Sequence, residues 1–267
     1  MPVKWDRFQE AELRKELERL YVRQNRTIKE IADLLGMAQS TIYARLCRLG
    51  IESTPFRKTG YRNRTRVTIP GYSEMLAELV GILLGDGHIS PTQVMVNLGS
   101  KEDGYVRHVT KLLGDAFGTP PHQSRRAGGY VDVYIGSVEA IRFLKEMGLC
   151  SHKVRQQVGI PRWIFDKQEY QRACLRGLLD TDGSIYRLRH GWQISFCNRS
   201  IPLLNDTREI LNTLGFTPSR ISGYNLYITK KRDIMQFAQE VSFAHPAKLK
   251  RLNLARVGTE VVKPGTL

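Results

Sequence analysis

The 267-residue chain sets 41 Lys and Arg against 26 Asp and Glu, a formal net charge of +15, and its 41% hydrophobic residues suffice for a buried core. That charge points to a polyanion, nucleic acid first, whereas no apolar stretch approaches the roughly 20 residues of a membrane span. Cys47, Cys150, Cys174 and Cys197 lack C-x-x-C spacing, which argues against a zinc ribbon or disulfide framework, and the start MPVKWDRFQE has no apolar signal-like centre, so a cytoplasmic location is expected.

Residues 1–52 read as helices. Phe8, Leu13, Leu17, Leu20 and Tyr21 fall mostly on one helical face, and Asn25 with Thr27 offers a stop and a new cap. In IKEIADLLGMAQSTIYARLCRLGI, residues 28–51, a short amphipathic helix ends at Gly36 and another starts near Gln39. The pattern resembles a helix-turn-helix. Ile28, Ile31, Ala32, Leu35, Ile42, Leu46 and Leu49 would form its core, leaving Gln39, Ser40, Thr41, Tyr43, Arg45 and Arg48 for base edges and phosphates. A helical hairpin used for protein contacts has the same periodicity, and the charge balance favours DNA.

Residues 53–70, STPFRKTGYRNRTRVTIP, replace periodicity with prolines, a glycine and five basic residues. This reads as a basic linker. Arg62, Arg64 and Arg66 could neutralise phosphates or enter a narrow minor groove, or the segment could be a solvated tether.

The remainder contains a repeat. LVGILLGDG, residues 79–87, returns as LRGLLDTDG, residues 175–183, each an apolar helical run closing on Asp-Gly. Gly81 and Gly85 share one helical face, and Gly177 with Thr181 the equivalent face of the second copy, so the helices can pack closely and bring Asp86 and Asp182 together. After the first copy come the alternating QVMVNLGS, a helix from Gly104 to Gly118, the strand YVDVYIGS and the helix VEAIRFLKEMG. The second copy repeats the order with SIYRLRHGWQISFCN, a helix through 203–214, SRISGYNLYIT and RDIMQFAQEV.

These paired motifs resemble those of the LAGLIDADG homing endonucleases in their single-chain form. The resemblance implies an α+β protein: a pseudo-two-fold duplicated αββαββα core, half-domains 71–165 and 166–267, forming a saddle of two antiparallel sheets behind a small all-α N-terminal domain. It implies a monomeric, metal-dependent, site-specific endonuclease that cuts both strands of a long pseudo-palindromic duplex. Alternation then gives the DNA-facing set. In the first half it comprises His88, Ser90, Gln93, Met95, Asn97, Arg125, Tyr130, Asp132 and Tyr134; in the second, Ser184, Tyr186, Gln193, Ser195, Arg220, Ser222, Asn225 and Tyr227.

Phosphodiester hydrolysis needs an activated water, charge neutralisation and a stabilised leaving oxygen. Asp86 and Asp182 offer the hard oxygen ligands that Mg²⁺ takes, with Mn²⁺ expected to substitute and Ca²⁺ to bind without supporting cleavage. The backbone carbonyls of Gly85 and Thr181 are further candidate ligands. Asp180 is a rival within the second motif, but the first motif has Leu84 there. By the resemblance, SHKVRQQVGIP contributes Lys153 and FAHPAKLKRLN contributes Lys248, with Lys250 in competition, as basic residues near the attacking water. Two other functions use such a scaffold: a DNA-binding regulator without catalysis, and a maturase binding intron RNA.

Overall fold

The computed structural model describes residues 7–24, 26–51 and 66–260. The chain divides into two compact units, residues 1–63 and 64–267. Arg62 and Arg64 of the expected linker, like Asn25, lie outside the described residues.

In the first unit, α1 (Arg7–Leu17) runs into a π-helical turn at Glu18–Arg23, and α2 (Ile28–Leu35) precedes α3 (Gln39–Arg48). Thr27 and Glu30 form a complete capping box at the start of α2. Gly36 ends that helix in the left-handed region at φ 62°, its N–H returning to the Ala32 carbonyl. Leu17, Ile31 and Ile42 are fully buried, and Leu20, Ala32 and Leu46 close the small core around them.

The second unit begins with α4 (Glu74–Gly85), capped by the Ser73 hydroxyl. Every residue from Leu76 to Leu84 is buried, and the one charged group among them, Glu78, is paired with Arg176 at 3.2 Å and His108 at 2.7 Å. There follow β1 (Gly87–Ile89), β2 (Val94–Gly99), α5 (Asp103–Phe117), β3 (His122–Arg126), β4 (Tyr130–Ile135) and α6 (Val138–Glu146). The strands form one antiparallel sheet in the order β1-β2-β4-β3. A 3₁₀ turn at Arg162–Asp166 leads into α7 (Gln168–Thr181), then β5 (Gly183–Leu188), β6 (Gly191–Cys197), α8 (Ile201–Thr213), β7 (Asn225–Ile228), α9 (Lys231–Glu240) and α10 (Pro246–Glu260).

The second sheet, β5-β6-β7, has three strands where the repeat led us to expect four. Residues 219–222 lie beside β7, where the main-chain ladder is reduced to Ser219 N–H to Tyr227 O, 2.8 Å, and a bridge at Ser222 and Asn225. Pro218 has no N–H to extend the ladder, and the Ser219 hydroxyl accepts the Tyr227 N–H in place of a backbone carbonyl. The final helix, α10, is an element the sequence reading did not include. It buries Leu252 and Ala255 and packs along β5.

The two motif helices, α4 and α7, pack against each other through their backbones. A Cβ on Gly81 would lie 2.3 Å from the Cys174 carbonyl oxygen, and one on Gly177 would lie 2.2 Å from that of Glu78. Only glycine fits at either position. Gly85 meets the Thr181 side chain at the same interface.

Candidate functional site

Asp86 and Asp182 occupy the C-caps of α4 and α7, with φ,ψ of −90°,6° and −85°,1°. The glycine after each starts a strand so close to its own helix that a Cβ would strike the carbonyl oxygen of Leu83 (2.5 Å) or Leu179 (2.4 Å). The Asp-Gly pair therefore turns the chain out of the helix and leaves the carboxylate at its tip. The carbonyls of both aspartates are tied to the second strand of their sheet, Asp86 O by Asn97 N–H at 3.2 Å and Asp182 O by Cys197 N–H at 3.3 Å.

Burial pushes the Asp86 carboxyl up to about 6; the Asp182 charge adds to this, and Lys153 and Lys248 oppose it. Burial also raises Asp182, but the Asn198 amide, which donates to Asp182 Oδ2 at 2.7 Å, works against it, as do both lysines. The two acids and two ammonium groups thus form one electrostatic unit. Burial in turn holds both lysines below their ordinary value, while the nearby aspartates pull the other way.

Both lysines cap motif helices. Lys153 Nζ donates to Leu83 O at 3.0 Å and to Gly85 O. Lys248 Nζ donates to Leu179 O, Asp180 O and Thr181 O at 2.9, 2.6 and 3.2 Å. A cation at the C-terminal end of a helix meets the negative end of its dipole and satisfies orphan carbonyls. An ammonium has three N–H donors, so Lys248 is fully committed and Lys153 retains one. Lys248 therefore has no N–H left over to donate to a water, whereas Lys153 has one. Lys250 is exposed, which separates it from Lys248.

The two carboxylates suit a hard divalent cation, whereas Gly85 O and Thr181 O, expected as further ligands, already accept from ammonium groups. No cluster of three or more His, Cys, Asp and Glu side chains gathers among the described residues. Asp180 has a different role. It is 2% exposed and accepts the N–H groups of Ala244 (3.0 Å) and His245 (3.1 Å), anchoring the chain just before α10 and hence Lys248.

The registers place the outward side chains of the sheets in rows. In the first sheet, His88, Met95, Tyr134 and His122 form one row, Asn97, Asp132 and Ser124 the next, and Tyr130 and Arg126 a third. Arg125 pairs with the buried Val131, so it lies on the other side; His122, Ser124 and Arg126 take the outward positions that the sequence reading assigned to Arg125. Asp132 is another correction. It is 3% exposed and holds Arg126 through an ion pair and Asn97 Nδ2 at 2.7 Å, so it positions those two groups rather than facing solvent. The Ser90 hydroxyl holds its own turn, accepting from Gln93 N at 2.9 Å, and Gln93 is half-buried beside it.

In the second sheet Ser184, Ser195 and Tyr227 share a row, Tyr186 and Gln193 the next, and Cys197 and Asn225 another. Gln193 Nε2 donates to the Tyr186 hydroxyl at 2.9 Å. Arg220 and Ser222 are exposed in the stretch before β7, outside any regular strand, and Arg66 is exposed ahead of α4. In the first unit, Gln39, Ser40 and Tyr43 are exposed on α3 and Thr41 is half-buried. Arg45 bonds the Met37 sulfur at 3.2 Å, and Arg48 pairs with Glu10.

Two acid-tipped helices, packed at paired glycines and each continued by an antiparallel sheet, define a duplicated α+β protein with one shared acidic centre. Residues 169–242, which run from α7 into the stretch after α9, match the family model of the LAGLIDADG-like domain. A replication factor C small subunit from Methanocaldococcus jannaschii is 24% identical over 198 residues, 68% of this chain. The chain spans about 10% of that relative's length. Among solved structures, I-DmoI in complex with DNA and Ca is 15% identical with a TM-score of 0.48, covering 68% of this chain and 97% of that one. Full-length DUF199/WhiA from Thermatoga maritima is 18% identical with a TM-score of 0.47, covering 75% and 65% respectively.

Proposed function

We propose that the chain is a divalent-metal-dependent, site-specific endonuclease that cuts both strands of a DNA duplex. The observation carrying this reading is the pairing of Asp86 and Asp182 at the tips of packed helices, each with a lysine on its helix end. A protein that only binds DNA has no use for two acids in the path of a polyanion, whose phosphates they repel.

Each aspartate serves one strand. A divalent cation held by the carboxylates would polarise a phosphate oxygen and lower the pKa of a bound water. Mg²⁺ is the proposed ion, Mn²⁺ a substitute and Ca²⁺ an inert occupant. Lys153 and Lys248 keep Gly85 and Thr181 in place and offset phosphate charge at the centre. Lys153 also has a free N–H for a phosphate oxygen or a water. The outward rows of the two sheets read bases in the major groove, and α3 of the N-terminal unit, as the recognition helix of a helix-turn-helix, adds contacts to the duplex. Two half-sites in one chain suit a monomer on a long, imperfectly palindromic site.

The test is selection of bound duplexes from a randomised library, followed by incubation with Mg²⁺. Cleavage of both strands at a fixed position is expected. Duplexes that are bound tightly and never cut would leave a DNA-binding regulator, and preferential binding of structured RNA over duplex at matched salt would leave the maturase reading.

A further inference from the structure

Asn198 breaks the two-fold relation between the half-sites. Its Oδ1 accepts the Ser200 N–H at 2.8 Å at the entrance to α8, which fixes the orientation of the amide, and its Nδ2 then donates to Asp182 Oδ2 at 2.7 Å. Its own N–H is held by Tyr224 O at 3.0 Å. The Asp182 carboxylate is therefore tied through one side chain to a helix start and to the turn before β7. The first half has nothing comparable. Gly87 pairs with Val96 and Gly183 with Phe196, so two residues further along the strand Asn198 corresponds to Leu98, which is 3% exposed in the core. No side chain among the described residues hydrogen-bonds the Asp86 carboxylate.

We propose that Asn198 is a positioning residue that makes the two half-sites unequal, holding Asp182 in its working orientation while Asp86 must be ordered when DNA arrives. The proposal rests on the endonuclease reading for its consequence: the strand served by Asp182 is cut first and a nicked duplex accumulates before the second cut. Preorganised groups pay no ordering cost at the moment of reaction, and this separates the strands.

Two variants of the full chain test it. Asn198→Leu installs the first half's residue. Asn198→Asp keeps an oxygen for the Ser200 N–H but replaces the donor to Asp182 with a like charge, so a role confined to capping α8 survives it. On a selected duplex labelled on each strand in turn, the wild type should cut one strand about tenfold faster than the other, and both variants should lose that bias by slowing the faster strand. A crystal structure of Asn198→Leu should show the Asp182 carboxylate out of its wild-type orientation. A wild-type strand ratio in Asn198→Asp, or an unmoved Asp182 in Asn198→Leu, overturns the proposal. Should the wild type bind and cut nothing, the endonuclease reading falls and the Asp182 orientation alone decides whether Asn198 positions it.

Discussion

Gly81 and Gly177 face each other's helices so closely that each occupies space where the other helix's backbone forbids a side chain. Alanine at either position drives a Cβ into a carbonyl oxygen that cannot rotate away, forcing α4 and α7 apart. We expect Gly81→Ala and Gly177→Ala each to cost about 3 kcal/mol or more, read as a fall in the urea midpoint. Gly85 differs, because its obstacle is the Thr181 side chain, with Oγ1 at 2.0 Å from the added Cβ. Gly85→Ala should be rescued in part by Thr181→Gly, which removes both Oγ1 and the Cβ that would lie 2.6 Å from the added carbon, with a coupling of about 1 kcal/mol or more in the double-mutant cycle. Equal damage in single and double variants would refute that distinction.

The sequence made this interface legible because the motif recurs, so a spacing that means little once could be checked against its copy. It also set Asp180 apart, since a lone acid opposite Leu84 has no partner at a shared centre. Other features depend on information outside any single element. The outward face of β3 depends on how the turn at 127–129 is built, with Gly128 and Gly129 at φ 95° and 84°, and a register change of one residue exchanges Arg125 for Arg126. Lys248 and Lys250 look alike until α10 decides which reaches the end of α7. Asn198 escaped because the argument from duplication looks for pairs, and the only local signal was an Asn at a strand end just before a Ser-Ile-Pro helix start.

On the endonuclease reading, Asp86→Asn and Asp182→Asn should each stop cutting of one strand, leaving a nicked duplex, and the double variant should cut neither. Asparagine keeps the shape of each C-cap, so binding to the selected duplex in Ca²⁺ should hold within a few fold. Strand-resolved gels and fluorescence anisotropy measure the two quantities separately. A single variant that cuts both strands like wild type would remove that aspartate from its role.

Stability should depend on pH through His108, whose Nε2 lies 2.7 Å from Glu78 Oε1. The hydrogen bond to Glu78 raises the His108 pKa above its ordinary 6.5, against the opposing effect of burial. A raised pKa means the folded state binds the proton more tightly, so this stabilisation is fully present below 6.5 and is lost as pH rises through the higher folded value. Urea midpoints at pH 6 and 8.5 should therefore differ more for the wild type than for His108→Gln, which keeps an amide donor but does not titrate. Proton NMR of the imidazole should place its midpoint above 6.5, and a midpoint at or below that value would contradict the assignment.

On the same endonuclease reading, in which the first sheet faces DNA, Asp132 offers a further test. Its carboxylate is buried and grips Asn97 and Arg126 on either side, the two groups in that region best equipped to address adenine and guanine edges. Asp132→Asn preserves volume but removes the charge that orients Arg126, and it presents an amide that cannot serve both neighbours as an acceptor. Arg126 is exposed, so its freed guanidinium can be solvated and the fold should survive. The loss should instead fall on discrimination. One or two adjacent base pairs on the first half-site should lose about tenfold in preference, equivalent to one weakened base contact, while preferences elsewhere and the salt dependence of binding stay as in the wild type. Sequencing the duplexes retained by each protein measures this directly. A profile unchanged at every position would show that Asn97 and Arg126 do not read bases, whereas a uniform fall across all sequences would reassign them to phosphate contacts.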